Sequence, residues 1–132
     1  MKRLFLAFYI LISYTSLSYS QCWQSMAITD DTSTVLLAIK DDNTLWDFSN
    51  YLEGVQIGNQ NIWKRCFVSH DYTFFLLAQD SSLWGWGGNS GGELGIGNTI
   101  YQPSIIQLNV NKWIDVACSW ESTTAIKGDG TL

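Results

Sequence analysis

The chain has 132 residues, 46% of them hydrophobic and 14% aromatic, with a formal net charge of −5 at pH 7. This length allows one small domain with a packed core, and the apolar content excludes a disordered chain. Lysine and arginine together number seven and are scattered along the sequence. A surface that neutralises the phosphates of DNA or RNA is therefore not expected.

The first twenty residues have the order of a secretory signal peptide. Residues 1–3 carry two positive charges, Leu4–Ile12 is apolar, and residues 18–20 supply small side chains for cleavage. The apolar run is shorter than the roughly 20 residues that a membrane span needs, so an anchor is the weaker interpretation. Lipidation at Cys22 is an alternative that the residues before it disfavour. We predict that residues 1–20 are removed and are the only membrane contact, and that the protein is secreted or held in the cell envelope, in the periplasm or on the outer surface.

The mature chain is predicted to be all-β. Its apolar and β-branched runs are short and separated by polar pairs, and none keeps helical spacing for three turns. Pro103 is expected in a connection after the seventh strand. The predicted strands are Trp23–Thr29, Val35–Lys40, Thr44–Phe48, Val55–Ile57, Trp63–Ser69, Thr73–Ala78, Leu83–Trp86, Ile105–Val110, Trp113–Ser119 and Thr123–Lys127.

Three segments repeat one pattern, and each opens on a tryptophan: Trp23, Trp63 and Trp113. A second strand follows, and then a turn of Asp, a residue with a small or amide side chain, a hydroxyl residue and Leu, at residues 42–45, 80–83 and 129–132. Asp bonds its own backbone and Asn or Gly accepts the left-handed conformation, so the turn predicts a tight antiparallel hairpin. The tryptophans lie 40 and 50 residues apart, a spacing typical of four-stranded propeller blades. We predict repeats at about 22–61 and 62–112, and an incomplete one at 113–132.

The middle repeat contains a glycine-rich stretch, Leu83–Asn98. Trp84 and Trp86 alternate with glycines, so on a strand both indoles share one face and the bare opposite face needs a close cover. A phosphate-binding loop is the alternative, but nucleotide fingerprints need a helix directly after the loop and none is predicted. The glycines are therefore interpreted as turn residues between strands.

Three of these segments resemble the regulator of chromosome condensation repeat: residues 113–117, residues 124–132, and Leu83–Asn98 followed by Pro103. The resemblance implies a β-propeller, usually of seven blades, that serves as a binding platform. Some eukaryotic members exchange guanine nucleotide on a small GTPase, and a secreted bacterial member inhibits β-lactamases. With its export signal, the chain is similar to an exported bacterial member.

The first repeat departs from the pattern, because Trp46–Asn50 lacks the glycines, and an atypical terminal blade is expected. Two complete units and a broken third cannot close a ring. The expectation is an incomplete, apparently truncated propeller, the N-terminal part of a longer protein. Self-association through open blade edges is the alternative.

The loops after the first strand of each repeat hold the candidate binding residues. Their acids would bind a cation or a basic partner, although solvated loop carboxylates are the ordinary interpretation. Trp120 aligns with polar residues and is the best candidate for an exposed aromatic side chain. His70 is the only histidine and has no partner for a catalytic dyad, so no catalytic residue, metal ligand or cofactor site is assigned. The candidate residues are Asp30, Asp31, His70, Asp71, Trp120 and Glu121.

Cys66 and Cys118 fall on the same face of equivalent strands. Either they form a disulfide between blades, or they are small buried side chains in apolar columns, which we favour. The function expected from the sequence is that of a non-enzymatic, exported scaffold that binds an unknown protein partner. A secreted enzyme inhibitor or a glycan-binding module is the alternative.

Overall fold

The computed structural model describes residues 22–29, 35–50, 53–69, 72–120 and 122–132, and every regular element in these ranges is a β-strand. The predicted signal peptide lies outside the described residues. Within the described part of the chain, no helix has the length and apolar character needed to cross a membrane. The predicted all-β class is confirmed.

Among the described residues, ten strands form three antiparallel sheets, one for each repeat. The strands are β1 (Trp23–Ile28), β2 (Leu36–Lys40), β3 (Leu45–Asp47), β4 (Val55–Ile57), β5 (Trp63–Val68), β6 (Thr73–Ala78), β7 (Leu83–Gly87), β8 (Gln102–Gln107), β9 (Trp113–Cys118) and β10 (Thr123–Lys127). The sheet orders are β1-β2-β3-β4, β5-β6-β7-β8 and β9-β10. Each four-stranded meander is a propeller blade, and we call the three sheets blade 1, blade 2 and blade 3. The described residues form an open arc of blades, so the predicted incomplete propeller is confirmed.

The same Asp-led turn follows the second strand of each blade. In blade 1, the Asp42 carboxylate accepts hydrogen bonds from the Thr44 amide at 3.0 Å and the Thr44 hydroxyl at 2.6 Å. Asn43 between them has a left-handed φ of 66°. The equivalent groups are Asp80, Ser81 and Ser82 in blade 2, and Asp129, Gly130 and Thr131 in blade 3. The predicted turn is confirmed in all three blades, and the hairpin that it forms is confirmed in blades 1 and 2, where a strand follows it.

Successive blades are joined by a backbone hydrogen bond at a fixed position. The Trp63 amide donates to the Asn43 carbonyl at 3.1 Å, and the Trp113 amide donates to the Ser81 carbonyl at 2.8 Å. Each donor opens a blade, and each acceptor is the left-handed turn residue of the preceding blade. The blades therefore stack in one orientation, with equivalent turns along one rim.

Apolar cores fill the spaces between blades. We call the side of a blade toward the preceding blade its front face, and the opposite side its back face. Trp63, on the front face of blade 2, is 1% exposed, and Trp84 packs edge to face against it with ring centroids 5.8 Å apart. The core between blades 1 and 2 contains Leu37, Ile39, Leu45, Trp63, Cys66, Leu76 and Ala78. The core between blades 2 and 3 contains Phe75, Leu77, Leu83, Leu94, Trp113 and Val116.

The bare glycine face of β7 has the close cover that the sequence requires. A Cβ built on Gly85 would lie 2.8 Å from the Leu94 Cδ2 atom and 3.2 Å from the Leu108 Cδ1 atom. Gly87 has φ 96°, and a Cβ there would collide with the Tyr72 carbonyl oxygen. The glycine loop therefore folds back, so that Leu94 joins the core between blades 2 and 3.

Strand β8 corrects one prediction. It runs over Gln102–Gln107 rather than Ile105–Val110, so Pro103 lies within the strand and not in a connection. Proline is tolerated there because β8 is the edge strand of blade 2, and its pairing with β7 is irregular between Gly85 and Gly87. The apolar residues of β8 begin only at Ile105, because the first half of the strand is polar and largely exposed, so the sequence pattern predicts a strand that begins three residues too late.

Cys66 and Cys118 are free thiols in separate surroundings. Cys66 is 4% exposed and belongs to the core between blades 1 and 2, whereas Cys118 packs against the core between blades 2 and 3. The interpretation as a buried core residue is confirmed for Cys66, whereas Cys118 is partly buried at the edge of its core.

Candidate functional site

The meander places two kinds of connection on opposite rims. The turn rim holds the turns after β2, β6 and β10, together with the connections between blades. The loop rim holds the opposite ends of the strands, where the described residues are Thr29, Ser69, Ser119, Trp120, the described part of the β3–β4 connection and the β7–β8 loop. Because the blades share one orientation, these described residues lie on one rim.

Of the six candidate residues, Trp120 lies in the described part of the chain, in the β9–β10 connection, and its relative exposure is 66%. The other five, Asp30, Asp31, His70, Asp71 and Glu121, lie outside the described residues. The ring of acids and its binding role therefore stay predictions. An exposed indole is unusual here, because the other six tryptophans, all of them described residues, are buried or half-buried.

A shallow cleft opens on the loop rim of blade 2. Its volume is about 330 Å³, and one edge is formed by Tyr101, which is 63% exposed and follows the exposed Ile100. The lining residues are Tyr72, Gly88, Asn89, Ser90, Thr99 and Tyr101. The cleft combines the rings of Tyr72 and Tyr101 with the hydroxyl groups of Ser90 and Thr99, and both a peptide and a sugar offer partners for such a mixture.

The floor of this cleft is fixed by Asn89, which the sequence analysis did not single out. Its side chain is 1% exposed, its Nδ2 donates to the Asn98 carbonyl at 2.9 Å, and its Oδ1 accepts from the Leu94 amide at 2.9 Å. One buried amide thereby joins both ends of the glycine loop. A lone Asn among glycines was the available signal, because Asn is a turn residue that bonds nearby backbone.

Glu93 is the second residue that the sequence analysis missed. It is 5% exposed, and its Oε2 accepts a hydrogen bond from the Gly91 amide at 3.1 Å. Its Oε1 is buried and has no hydrogen-bond partner among the described residues. Buried acceptors without donors are rare and cost free energy, so this carboxylate is a weak point of the loop.

The described residues offer little catalytic chemistry. Burial raises the pKa of the Cys66 thiol, and burial raises the pKa of the Cys118 thiol to about 11. Both thiols are therefore protonated at neutral pH and are poor nucleophiles. In the described ranges, no three His, Cys, Asp or Glu side chains cluster in a way that would hold a metal ion.

Comparison with known proteins finds a family that part of the chain resembles. The sequence profile of the regulator of chromosome condensation (RCC1) repeat matches residues 80–126. A curated relative, the ultraviolet-B receptor UVR8 of Arabidopsis thaliana, is 38% identical over 53 residues, which cover 38% of this chain and 12% of the receptor. The chain thus matches about an eighth of that relative's length. The resemblance identified from the glycine and turn columns is confirmed over the matched residues.

Proposed function

We propose, from the premise that residues 80–126 form an RCC1 repeat, that this chain is an exported, non-enzymatic repeat protein that binds a protein partner through its loop rim. The contrast between the two rims carries the proposal. The turn rim repeats one short hydrogen-bonded turn, whereas the loops of the other rim differ in length and sequence. Variable loops on a rigid scaffold are a common design of binding surfaces.

The composition of the loop rim supports a protein partner. Trp120 and Tyr101 are exposed by 66% and 63%, and tryptophan and tyrosine are enriched among residues that dominate binding energy. The net charge of −5 becomes more negative when Lys2 and Arg3 leave with the signal peptide. A partner with a basic surface is therefore favoured, because charge complementarity speeds encounter and excludes acidic competitors.

The binding proposal is tested by capture of partners from a cell-envelope extract on the immobilised protein. Trp120→Ala on the loop rim should reduce capture by about tenfold, the loss expected for one buried aromatic contact. Val110→Ala is the matched control, since Val110 is 92% exposed but lies in the β8–β9 connection on the turn rim. Equal capture by both variants would exclude the loop rim as the binding surface.

Export is tested separately by cell fractionation and by N-terminal sequencing of the recovered protein. The proposal expects a mature N-terminus at Gln21 in the secreted or envelope fraction. Recovery of an intact Met1 terminus from the cytoplasm would contradict it.

The exposure of Trp120 and Tyr101 also favours a second candidate, a glycan-binding module. Sugar rings stack on exposed aromatic faces, and the hydroxyl groups that line the cleft would bond to those of the sugar. Quenching of tryptophan fluorescence by oligosaccharides, lost in Trp120→Ala and kept in Val110→Ala, would favour this candidate. A captured enzyme whose activity falls on binding would instead favour an inhibitor.

A further inference from the structure

The cleft on the loop rim of blade 2 contains hydroxyl groups that the protein itself leaves unused. In the part of the chain that the structure describes, the side-chain hydroxyls of Tyr72, Thr99 and Tyr101 have no hydrogen-bond partner. Each hydroxyl can donate one hydrogen bond. The lining of the cleft therefore offers hydrogen-bond donors to a ligand.

Several acceptors of the cleft, in contrast, already hold hydrogen bonds within the protein. The Tyr72 carbonyl accepts from the Gly88 amide at 3.0 Å, and the Gly88 carbonyl accepts from the Thr73 hydroxyl at 2.8 Å. The Asn89 Oδ1 accepts from the Leu94 amide at 2.9 Å. None of the six described lining residues carries a charge. The cleft therefore matches an uncharged ligand that accepts hydrogen bonds and donates few.

Tyr72 is held in an unusual backbone conformation beside this cleft. Its φ of 53° is left-handed, which is uncommon for a bulky residue. The conformation depends on Gly87, because a Cβ at that position would collide with the Tyr72 carbonyl oxygen. Residues in such conformations cluster at binding sites. The backbone that carries the Tyr72 ring is fixed before a ligand arrives, which lowers the entropy cost of binding.

We infer that this cleft binds a proline-rich, extended segment of the protein partner, an inference that rests on the proposed function of the loop rim. A polyproline II chain forms no internal hydrogen bonds and its prolines lack the amide donor, so its carbonyls need donors from the binding site. Proline rings also pack on aromatic side chains, which Tyr72 and Tyr101 supply. The volume of about 330 Å³ is at the small end of ligand pockets, so a short segment of a longer chain fits. A sugar brings hydroxyls that donate as well as accept, and it matches the occupied acceptors less well.

The first experiment titrates the isotopically labelled 132-residue chain with acetylated decaproline and follows the amide resonances by NMR. Tyr101→Ala should weaken binding about tenfold, the loss expected for one aromatic contact. Tyr101→Phe keeps the ring and loses only the hydroxyl donor, so it should weaken binding about threefold. Val110→Ala on the turn rim is the control and should bind like the unmodified chain. Absence of saturable binding up to about 1 mM decaproline, or equal affinities of Tyr101→Ala and the unmodified chain, would overturn the inference.

A variant of Tyr72 separates loss of the site from loss of the fold. Glycine adopts a left-handed φ without strain, so Tyr72→Gly keeps the turn while it removes the ring and its hydroxyl. Decaproline binding should weaken about tenfold, and the circular dichroism spectrum should stay that of the unmodified chain. Unchanged affinity in this variant would overturn the inference.

The second experiment compares decaproline with two other probes of the same site. A decapeptide of alternating glycine and serine has the same length but is flexible and carries amide donors, and cellotetraose represents a glycan. Each should bind at least tenfold more weakly than decaproline. If either probe bound as tightly as decaproline, the cleft would not be a site for proline-rich segments.

Trp120→Ala distinguishes this inference from the proposed function. Trp120 follows a strand of blade 3 and is not among the described residues that line the cleft. The variant should therefore bind decaproline like the unmodified chain, although its capture of the partner from the cell-envelope extract should fall. Equal capture by Trp120→Ala and Val110→Ala would contradict the proposed function. Decaproline binding that does not depend on Tyr101 would overturn only the inference about the proline-rich segment.

Discussion

Blades 1 and 2 are two complete versions of one repeat, and they agree in their inner half and differ in their outer half. Both have five- or six-residue inner strands joined to β3 or β7 by the same Asp-led turn. Beyond that turn, β3 and β4 have three residues each, whereas β7 and β8 have five and six residues and enclose the glycine loop. The inner hairpin is therefore the constant part of the repeat. The lengths of the outer strands differ with the residues that pack against them.

The difference extends to the front faces. In blade 2, Ala78 is buried in the core and leaves room for the preceding blade. In blade 1 the equivalent residue is Lys40, whose ammonium lies 3.6 Å from the centroid of Trp46 and 5.4 Å from that of Trp23. Its contacts with the two rings are worth about 1 kcal/mol or less each at such an exposed site.

The largest expected difference in stability is between alanine substitutions of the two front-face tryptophans, Trp63 and Trp23. Trp63→Ala removes a side chain that is 1% exposed, and it should lower the free energy of unfolding by about 4 kcal/mol. Trp23→Ala should cost about 2 kcal/mol, because Trp23 is only half-buried against Phe48 and Lys40. Urea unfolding followed by circular dichroism measures both values. Equal losses would show that the front face of blade 1 is covered in solution.

The next largest difference in stability is expected between alanine substitutions of two glycines, Gly87 in blade 2 and Gly58 in blade 1. Gly87→Ala places a methyl group on the Tyr72 carbonyl at a left-handed φ, and it should cost about 3 kcal/mol. Gly58→Ala in blade 1 has nothing within 4 Å of the new methyl group and should cost about 1 kcal/mol, from its φ of 68° alone. The difference between the urea midpoints of the two variants tests whether the packing of blade 2 requires a glycine at position 87. Similar midpoints would refute the close approach of Tyr72.

A smaller effect is expected from the turn hydroxyls. Ser82 is 4% exposed, donates to Asp80 at 2.6 Å and accepts from the Trp84 Nε1 at 2.8 Å. Ser82→Ala should therefore cost about 1.5 kcal/mol. Thr44→Ala removes the same two contacts from a more exposed turn and should cost about 0.5 kcal/mol, since water replaces them. Thermal unfolding of both variants gives the comparison, and a larger loss for Thr44→Ala would contradict it.

The smallest expected effect is the loss of stability at acidic pH, and it should be similar for the turns of blades 1 and 2. The side-chain hydrogen bond from Thr44 holds the pKa of Asp42 below its ordinary value of 3.8, and the one from Ser82 lowers the pKa of Asp80 in the same way. A lowered folded-state pKa means that the contribution to stability is present above pH 3.8 and is lost as the pH falls through the folded-state pKa. Acid should lower the stability of the unmodified protein, and Asp42→Asn and Asp80→Asn should each remove a similar part of that loss of stability. The measurement compares urea midpoints at neutral and at acidic pH. If only one of the two variants reduced the acid-induced loss of stability, the two turns would not be equivalent.

Much of this architecture could be predicted from the sequence because it depends on local chemistry. Asp42, Asn43 and Thr44 form their turn through contacts within three residues, so the column predicts the hairpin wherever it recurs. The alternation of Trp84 and Trp86 with glycines likewise predicts a strand with one bare face. Pro103 was placed wrongly because the sequence does not show that β8 is an edge strand with irregular pairing.

The candidate site was less predictable for the same reason. That Trp120 is exposed follows from its column, but the cleft depends on Asn89 reaching Asn98 and Leu94 across the glycine loop. Glu93 reads in the sequence as an ordinary surface acid, although it is 5% exposed in the fold. Neither role has a repeating pattern that a reader of the sequence would detect.

The sequence by itself determined most of the strands, the repeated turn and the resemblance of residues 80–126 to the RCC1 repeat, because side-chain hydrogen bonds and backbone preferences act over a few residues. The tertiary structure alone decided which faces are covered, that Leu94 fills the space over Gly85, and that Met26 is surface where Cys66 is core. Burial is a property of what another part of the chain brings into contact, so identical columns end as core or as surface according to their neighbours.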